Sequence, residues 1–423
     1  MMNTRFVTTA AAGAALGGLL FGYDTSTMNA AIDGVRASLG LGSGQVGLVA
    51  AISLLGCAAG AWLAGPISVR LGRTRIMMIA GALVAAGSLG AALGSGLLVT
   101  APCRVVTGLG IGAVSAVVPP YITEISPAAM RGRLGSLWQF AIVSGQLIGL
   151  VAGFGITTWA GSEVSTMPWG GAAWRWEFGV DAVLGIVYVL IARALPRSSR
   201  DVMEHGRKAS VRDLRGPRFG LLAVVWVGIL LAAFQQLVGI NVVKTYSNIV
   251  WKSAGFSTGT TFLFSIVTVV ISVFSTILAI AVIDRVGRRT MLLAGAAAMI
   301  VALGVLAVSF SSTAGSGSGP TLDHSRGIAA LIAMNVFAIA FGITWGPVTW
   351  VMLSELFDSR IQSIAVAVCT AFNWLTNWAV TRTFPLLADV GLGFAYSLYA
   401  AFAVLALVFV WRALPETKGR TLA

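Results

Sequence analysis

Apolar runs of bilayer length recur along this chain, and short polar segments separate them. Hydrophobic residues make up 57% of the 423 residues and charged residues only 10%, a balance that excludes a soluble domain of this size. A run of about 20 apolar residues is long enough to cross a membrane as a helix. The pattern therefore predicts an all-α membrane protein with about twelve transmembrane helices. The predicted spans are 7–31, 45–67, 76–98, 101–121, 134–158, 177–195, 219–247, 259–283, 291–311, 327–352, 362–386 and 391–414.

The longest basic hydrophilic stretch, 197–218, divides the predicted helices into two sets of six. It contains seven Lys and Arg residues, and segments rich in these residues stay on the cytoplasmic side of a membrane. We therefore expect a first six-helix bundle at 1–196, a cytoplasmic linker at 197–218 and a second bundle at 219–423. With an even number of spans, both termini are expected in the cytoplasm of a multi-pass protein of the plasma (inner) membrane.

Charge and cysteine usage exclude other classes of protein. A formal net charge of +13 would indicate nucleic-acid binding in a soluble chain, but here the positive-inside rule explains it, so no nucleic-acid partner is expected. Cys57, Cys103 and Cys369 lie in apolar segments, so no disulfide framework is predicted. The two histidines, His205 and His324, lie in loops, and the sequence has no metal-ligand, nucleophile or phosphate-loop spacing. Neither a metal site nor an enzyme is therefore predicted.

Sequence features recur in the same order in the two predicted halves. A basic loop follows the second span at 70–73 and the eighth span at 284–289, while Glu124 ends the fourth span and Glu355 ends the tenth. A parallel repeat of this kind is the signature of two pseudo-symmetric bundles. Taken alone, each basic loop is also explained by the positive-inside rule, without any further role. Together, the loops and acids predict ion-pair latches that hold the bundles together on the cytoplasmic side. The predicted latch residues are Arg73, Glu124, Arg131, Arg288 and Glu355.

The seventh predicted span carries a cluster of polar side chains in an otherwise apolar run. Between Phe234 and Tyr246 it contains three amides, two hydroxyls and one ammonium group. Such groups are costly in a bilayer unless they face protein or water, so the default interpretation is a functional site. Gly239 allows the helix to break near its centre, and neutral amides suit a neutral polyol. The alternative is hydrogen bonding between helices alone, worth roughly 1 kcal/mol per contact.

This motif resembles the seventh helix of the sugar porters, a family of the major facilitator superfamily, in Gln235, Gln236, Gly239, Asn241 and Tyr246. Further motifs at 17–24, 120–127, 345–347 and 415–421 extend the resemblance over nearly the whole chain. It implies the major facilitator fold, with a central cavity between two bundles, and secondary transport by alternating access without a cofactor. The expected partners are a small-molecule sugar, a proton and the lipid bilayer, and the protein is expected to be monomeric.

The resemblance also implies which residues contact the sugar. Planar amides hydrogen-bond sugar hydroxyls, while aromatic rings cover the apolar C–H faces. The implied residues are Phe21, Gln139, Gln146, Gln235, Gln236, Asn241, Tyr246, Phe341, Gly346, Trp350, Asn373 and Trp374. For the tryptophans the alternative is a belt at the membrane interface, which suits Trp159 better than Trp350 or Trp374 inside spans.

Two opposite charges inside the spans predict a buried ion pair. Asp24 lies in the first span and Arg104 in the fourth, and a lone charge at that depth is strongly penalised, so mutual pairing is expected. In proton-coupled sugar porters the matching aspartate is the proton site and the arginine is its partner. Asp181 in the sixth span matches a membrane-embedded acid of the same relatives, which implies a role in tuning the pair. The alternatives are a purely structural pair, and an Asp181 that only lies near an outer water pocket.

Several positions depart from the family pattern. Thr245 replaces the first of two tyrosines, Lys244 stands where an apolar residue is usual, and Ser272 replaces a sugar-binding asparagine of many relatives. In the basic loops, Val69 replaces an acid and the Gln-Ser pair at 362–363 replaces an Arg-Gly pair. Lys244 is expected to snorkel to the outer interface, or else to contact an anionic sugar.

The sequence thus predicts proton symport of a monosaccharide, either a hexose or a pentose. Passive facilitation of a sugar, or of inositol or another polyol, is the alternative within the same class of protein. A non-transporting sugar sensor is the alternative from a different class.

Overall fold

The structure, a computed structural model, describes residues 4–41, 43–168, 170–197, 210–245, 258–311 and 324–419. Regular structure in these ranges is α-helical, apart from two 3₁₀ helices at Ala128–Met130 and Val211–Leu214 and two isolated β-bridges. The predicted all-α fold is therefore confirmed.

The helices, numbered in chain order, form two sets separated by the basic linker. Those before the linker are α1 Thr4–Ala15, α2 Gly17–Leu39, α3 Ser43–Leu71, α4 Arg73–Leu93, α5 Leu97–Ile125, α6 Arg131–Ala160 and α7 Ala173–Ala194. Those after it are α8 Ala223–Leu237, α9 Ile240–Thr245, α10 Thr258–Val286, α11 Arg288–Phe310, α12 His324–Ile343, α13 Trp345–Glu355, α14 Gln362–Val390 and α15 Leu392–Ala413.

Three spans are broken into two consecutive helices, namely α1–α2, α8–α9 and α12–α13. With each pair counted once, the described helices form twelve spans, which correspond in order to the twelve predicted spans. Eleven of these segments are long and apolar enough to cross a membrane. The twelfth, α7, carries Arg175, Glu177, Asp181 and Arg193, so its charge lowers its hydropathy while its 22 residues still suffice for a crossing.

Many of the helices are longer than the apolar runs that predicted them. Helices α3, α5, α10 and α14 each contain 29 residues and α6 contains 30. A helix satisfies its own backbone hydrogen bonds, so it can continue past the hydrocarbon region without cost. The hydropathy pattern therefore locates the membrane crossing but underestimates the length of the helix.

Buried apolar side chains form separate cores in the two halves of the chain. One cluster is built between Leu214 and Leu414, and two others come mainly from α1–α7. The halves meet where α3 contacts α14 and where α6 contacts α10 and α13. This arrangement agrees with two bundles, and the exact domain limits of 1–196 and 219–423 stay predictions.

Within the first half, α3 and α5 approach each other at small residues. A methyl group added at Gly60 would overlap the carbonyl oxygen of Leu109, and one added at Gly112 would overlap that of Cys57. Helices in a membrane have no hydrophobic driving force between them, so close van der Waals packing replaces it. These glycines fix α5, and with it the charged side chain of Arg104, against its neighbours.

The two membrane surfaces differ in composition. We call the surface that holds Arg73, Glu124 and Arg288 the basic side, and the surface that holds the loop 161–172 the opposite side. Successive spans alternate in direction, so the linker residues 210–222 lie on the basic side. The positive-inside rule predicts that the basic side faces the cytoplasm.

Cysteine labelling tests this orientation. In a variant lacking the native cysteines, Val164→Cys on the opposite side should react with a membrane-impermeant maleimide on intact cells. Arg212→Cys should react only after the membrane is opened, because the positive-inside rule keeps its loop in the cytoplasm. Both parent residues are exposed, so side-chain burial cannot explain a missing signal. The reverse pattern would contradict the orientation.

Candidate functional site

The seventh span breaks where the sequence predicts it. Helix α8 ends at Leu237 and α9 begins at Ile240, and Gly239 between them has φ of 86°. This left-handed backbone conformation favours glycine. A Cβ atom at Gly239 would also stand 3.0 Å from the ring of Tyr399 in α15, so both conformation and space require glycine here. The break sets the polar residues on either side of it at different angles to the bundle.

The amides of this span form one connected hydrogen-bond network. Asn241 Nδ2 donates to Gln236 Oε1 at 2.6 Å, and Gln236 Nε2 donates to Asn373 Oδ1 at 3.1 Å. Asn373 Nδ2 then donates to Gln235 Oε1 and to the Ala232 carbonyl, both at 2.8 Å. The network therefore joins α8, α9 and α14, and hydrogen bonding between helices is part of what these residues do.

Gln235 carries the network on to the tenth span. Its Nε2 donates to the carbonyl oxygens of Trp345 at 3.1 Å and Gly346 at 3.4 Å. These residues begin α13, directly after a second helix break at Thr344, where φ is −120° and ψ is −85°. Two broken helices thus meet at one set of amides, which is how transporters build sites at mid-membrane.

Residues of the first half complete the predicted sugar site. Gln139 and Gln146 on α6 are buried, and Gln139 lies close enough to Gly346 that a Cβ there would be 3.3 Å from its amide carbon. Phe21 on α2 meets Trp374 on α14 edge to face, with ring centroids 4.8 Å apart. Predicted sugar residues from both halves are therefore neighbours.

Sequence reasoning missed several residues that hold these aromatic rings. Trp138 of α6 packs edge to face against Trp350 with ring centroids 6.1 Å apart, and Ser115 Oγ accepts a 3.0 Å hydrogen bond from Trp374 Nε1. Nothing in the sequence pairs these positions. The position of Trp138 directly before Gln139 is the one sequence feature that places it near the predicted sugar site. A tryptophan in an apolar helix is otherwise not distinguished from its neighbours.

Not every predicted sugar residue can be placed. Tyr246 lies outside the described residues, and for Lys244 and Thr245 only the backbone at the end of α9 is described. Phe341 is buried and stacks on Phe337 with ring centroids 6.4 Å apart. The roles proposed for Lys244 and Tyr246 stay predictions.

Ser272 stands where the family resemblance implies a sugar-binding asparagine. Its hydroxyl donates to the Thr268 carbonyl of its own helix at 2.9 Å. A serine that returns its hydroxyl to the preceding turn leaves its polar group satisfied within the helix. The departure at this position therefore removes one amide from the second bundle.

The predicted ion pair between Asp24 and Arg104 is present. Arg104 Nη1 pairs with Asp24 Oδ1, and Nη2 donates to Asp24 Oδ2 at 3.1 Å and to Ser53 Oγ at 3.3 Å. The Arg104 side chain is 1% exposed and lies over the Phe178 ring, 5.5 Å from its centroid. A two-point contact of this kind compensates both charges where neither can reach water.

Asp181 lies beside this ion pair. It is fully buried on α7 and its Oδ2 accepts a 2.5 Å hydrogen bond from Ser88 Oγ of α4. It interacts electrostatically with both Asp24 and Arg104. Three ionisable groups from α2, α5 and α7 therefore lie in one buried cluster, in which Arg104 is paired with Asp24 and attracts Asp181 from a longer distance.

The predicted latches form as ion pairs, but each lies within its own half of the chain. Arg73 pairs with Glu124. Arg288 donates to Glu355 at 2.9 and 3.1 Å and to Asp284 at 3.0 Å. These two pairs therefore do not themselves join the bundles. Arg131 of the first half is near enough to attract Glu355 of the second half electrostatically, so a latch between the bundles at the predicted residues stays a prediction.

Neighbouring groups make the contacts between the bundles. Asp284 of α10 accepts hydrogen bonds from the backbone N–H groups of Gly132 at 3.1 Å and Arg133 at 2.9 Å, at the start of α6. A carboxylate is stabilised at a helix N-terminus by the unpaired N–H groups and the helix dipole. Arg131, a predicted latch residue, donates from Nε to the Thr123 carbonyl at 3.3 Å within the first half.

The sequence repeat relates the contact of Asp284 with α6 to a second contact between the halves, and the second contact has a different chemistry. Val69 occupies the position that corresponds to Asp284, and it packs against the apolar core of the second half. Next to it, Arg73 Nη2 donates across the boundary to Ser363 Oγ at 3.0 Å. The departures from the family pattern at Val69 and 362–363 thus lie at one contact, where an apolar side chain and a hydroxyl replace charge. The two repeat-related contacts that join the halves on the basic side are therefore chemically different from each other.

Comparison with known proteins covers both halves of the chain. The family described as "Sugar (and other) transporter" matches residues 10–217 and 201–423. The chain is 38% identical over 454 residues to the glucose transport protein of Synechocystis sp., covering 99% of this chain and 97% of that protein. It is 32% identical over 490 residues to the D-xylose-proton symporter of Escherichia coli, covering 99% and 95%.

A solved structure agrees with the fold. It is a proton:xylose symporter of the major facilitator superfamily bound to 6-bromo-6-deoxy-D-glucose. The match has a TM-score of 0.87 at 31% sequence identity and covers 99% of this chain and 98% of that chain.

Asp284→Ala should weaken closure on the basic side. The variant removes the only carboxylate that the described residues place on the α6 N-terminus, a contact worth about 0.3–2 kcal/mol. Spin labels at the exposed positions Arg133 and Arg285 should then show a larger population at long distance by double electron–electron resonance. Asp213→Ala is the matched control, since its ion pair with Arg360 is exposed at the surface. Equal distance distributions in the two variants would contradict a role for Asp284 in closure.

Proposed function

The chain belongs to the sugar porter family of the major facilitator superfamily, and on that premise we propose that it is a proton-coupled symporter of a monosaccharide. It is a multi-pass membrane protein and a sugar transporter, and its relatives are transporters that need no cofactor. The observation that carries proton coupling is the buried Asp24–Arg104 ion pair with Asp181 beside it. A structural ion pair needs no second acid, whereas a site that takes up and releases a proton gains from one.

The amide network supports the sugar-binding part of the proposal. Each planar amide has two donor hydrogens and two acceptor lone pairs on its oxygen, so the bonds between Gln235, Gln236, Asn241 and Asn373 leave further groups for ligand hydroxyls. Asn241 is half-buried, at the open end of the network. With Gln139, Gln146 and the rings of Phe21, Phe341, Trp350 and Trp374, these residues form the proposed site, and Gly346 allows close backbone approach. A hexose or pentose needs this combination of amides and apolar rings.

Helix α2 provides a direct connection between the proposed proton site and the proposed sugar site. Asp24 and Phe21 are three residues apart on this helix, so they lie on neighbouring faces of one turn. Asp24 pairs with Arg104 of the first half, while Phe21 contacts Trp374 of the second half. A proton on Asp24 removes the charge that holds α2 to Arg104, which frees this helix to move with Phe21. Protonation and sugar binding then favour the same state, as symport requires.

The remaining features fit alternating access in the plasma membrane. We place the basic side and both termini in the cytoplasm, and the bundles 1–196 and 219–423 on either side of the sugar. The latch residues Arg73, Glu124, Arg131, Arg288 and Glu355 would shape the cytoplasmic surfaces that separate when the protein opens inward. All proposed site residues come from one chain, so a monomer suffices.

Passive facilitation is the second candidate. The relative with 38% identity is named only as a glucose transport protein, without reference to a proton. A facilitator would use the same amides and aromatic rings, and it would keep the Asp24–Arg104 pair as a structural contact. The two functions differ only in whether a proton gradient drives accumulation.

Gln235→Ala should weaken sugar binding. The variant removes a donor and an acceptor at the point where the two broken helices meet, and a desolvated sugar hydroxyl that loses its partner costs about 1–3 kcal/mol. Titration calorimetry of purified protein with D-glucose and D-xylose should show this as a higher Kd. Gln45→Ala at the exposed start of α3 is the matched control. Unchanged affinity in folded Gln235→Ala protein would remove this residue from the site.

Asp24→Asn should abolish the accumulation of sugar against its gradient and retain the exchange of sugar for sugar. Asparagine keeps the size and hydrogen-bonding capacity of aspartate but cannot carry a transferable proton. Wild-type protein in liposomes should concentrate D-glucose or D-xylose under an inward proton gradient and stop when a protonophore is added. The variant should lose this accumulation and its proton flux while sugar counterflow continues, because exchange needs only the loaded carrier to move.

Two outcomes would contradict proton coupling at Asp24. Wild-type protein that ignores the proton gradient for both sugars would favour facilitation. An Asp24→Asn variant that still accumulates sugar against its gradient would show that the proton binds elsewhere.

A further inference from the structure

Glu177 is a buried acid that the proposed symport cycle does not use. It lies on α7, one helical turn before Asp181, and residues four apart share a helix face. It is 1% exposed. Its Oε1 accepts one long hydrogen bond from Thr157 Oγ1 at 3.4 Å, and its Oε2 has no hydrogen-bond partner within the described part of the chain. A buried carboxylate with so few partners requires an explanation.

No cation near Glu177 compensates its charge among the residues that the structure describes. Arg175, on the same helix, donates to the carbonyl oxygens of Ala92 at 2.5 Å and Gly94 at 2.9 Å and lies over the Trp174 ring. Arg104 is already paired with Asp24. An uncompensated carboxylate is strongly penalised at this depth, and a carboxyl group in such a position can carry a proton between neighbouring groups.

Acidic and hydroxyl groups continue from Glu177 in both directions. Toward the opposite side lies Glu163 in the loop 161–172, half-buried and near enough to interact electrostatically with Glu177. Toward the protein interior lies the Tyr23 hydroxyl, which is buried, lies near the Thr27 hydroxyl and is within electrostatic range of Glu177 and Asp181. Asp181 Oδ1 has no hydrogen-bond partner among the described residues. Ionisable groups facing this stretch are therefore Glu163, Tyr23, Asp24, Arg104, Arg175 and Asp181.

We propose that Glu177 relays protons between the opposite side of the membrane and the Asp181–Asp24–Arg104 cluster. This inference rests on the proposed proton symport. In one passage the Tyr23 hydroxyl, which lies within electrostatic range of both acids, gives its proton to Asp181 while it takes up the proton of Glu177. Asp181 then passes a proton to Asp24. Glu177 then takes up a proton from the opposite side of the membrane, where the half-buried Glu163 lies. The relay sets the rate of proton delivery, while Asp24 alone couples the proton to the sugar.

A rate measurement separates this role from the role of Asp24. Glu177→Gln should slow the initial rates of D-xylose or D-glucose uptake and of proton flux under an inward proton gradient by at least about tenfold, because a positioned proton carrier is lost. The final accumulation ratio should equal that of wild type, since coupling at Asp24 is intact. Counterflow, which needs no net proton movement, should stay at the wild-type rate and shows that the variant is folded.

Two further variants distinguish a relay from a structural contact. Glu177→Asp keeps a transferable proton and should recover much of the rate. Thr157→Val removes the hydrogen bond to Glu177 without removing a titratable group, and it should behave as wild type.

Each remaining outcome overturns the relay for a different reason. If Glu177→Gln takes up sugar as fast as the wild-type protein, and the wild-type protein responds to the proton gradient, the relay is rejected while symport is not. Loss of counterflow in Glu177→Gln, together with a similar loss in Thr157→Val, would make Glu177 structural. A lower accumulation ratio would make it a coupling site. A wild-type protein indifferent to the proton gradient would remove the proposed symport and the relay together.

Discussion

A charged or strongly polar side chain inside the spans is costly unless it finds a partner within the protein, because lipid tails offer neither counter-charge nor hydrogen bonds. Arg104 meets this requirement with Asp24, Ser53 and the face of Phe178. Satisfying it requires α2, α3, α5 and α7 to converge at one level of the membrane. The close approach of α3 and α5 at their glycines makes that convergence possible. The charged cluster and the packing of the first half are thus one arrangement.

The second half meets the same requirement with neutral amides. Its polar network lies where two helices break, at Gly239 and Thr344, and it connects α8, α9, α13 and α14. Amides that bond to each other can also bond to a ligand, since each has several donor and acceptor positions. The buried cluster of Asp24, Arg104 and Asp181 therefore lies in the first half and the amide network lies in the second. This division suits a carrier in which the proton site and the sugar site are separate and communicate through α2.

Contact between the two halves on the basic side uses two kinds of interaction. One is a carboxylate, Asp284, at the N-terminus of α6, and the other combines Val69 with the Arg73–Ser363 hydrogen bond. Electrostatic contacts near a surface weaken with salt, whereas apolar burial does not. The two contacts therefore respond differently to ionic strength, although the sequence repeat relates them.

The sequence by itself determined the class of protein, the number and approximate position of the spans, the repeat, and the pairing of Asp24 with Arg104. These follow from rules that need no geometry: the length of apolar runs, and the cost of a lone charge in lipid. The sequence also located the polar cluster around Gly239, because polarity inside an apolar run is visible residue by residue.

Only the tertiary structure decided which groups meet across helices. It showed that Arg73 and Arg288 pair with acids of their own halves, that Asp284 reaches α6, and that Trp374 bonds to Ser115. In a soluble helix the alternation of apolar and polar residues fixes which face is buried. A membrane helix is apolar toward both lipid and protein, so that signal is largely absent and the rotation of each helix is set by packing against its neighbours.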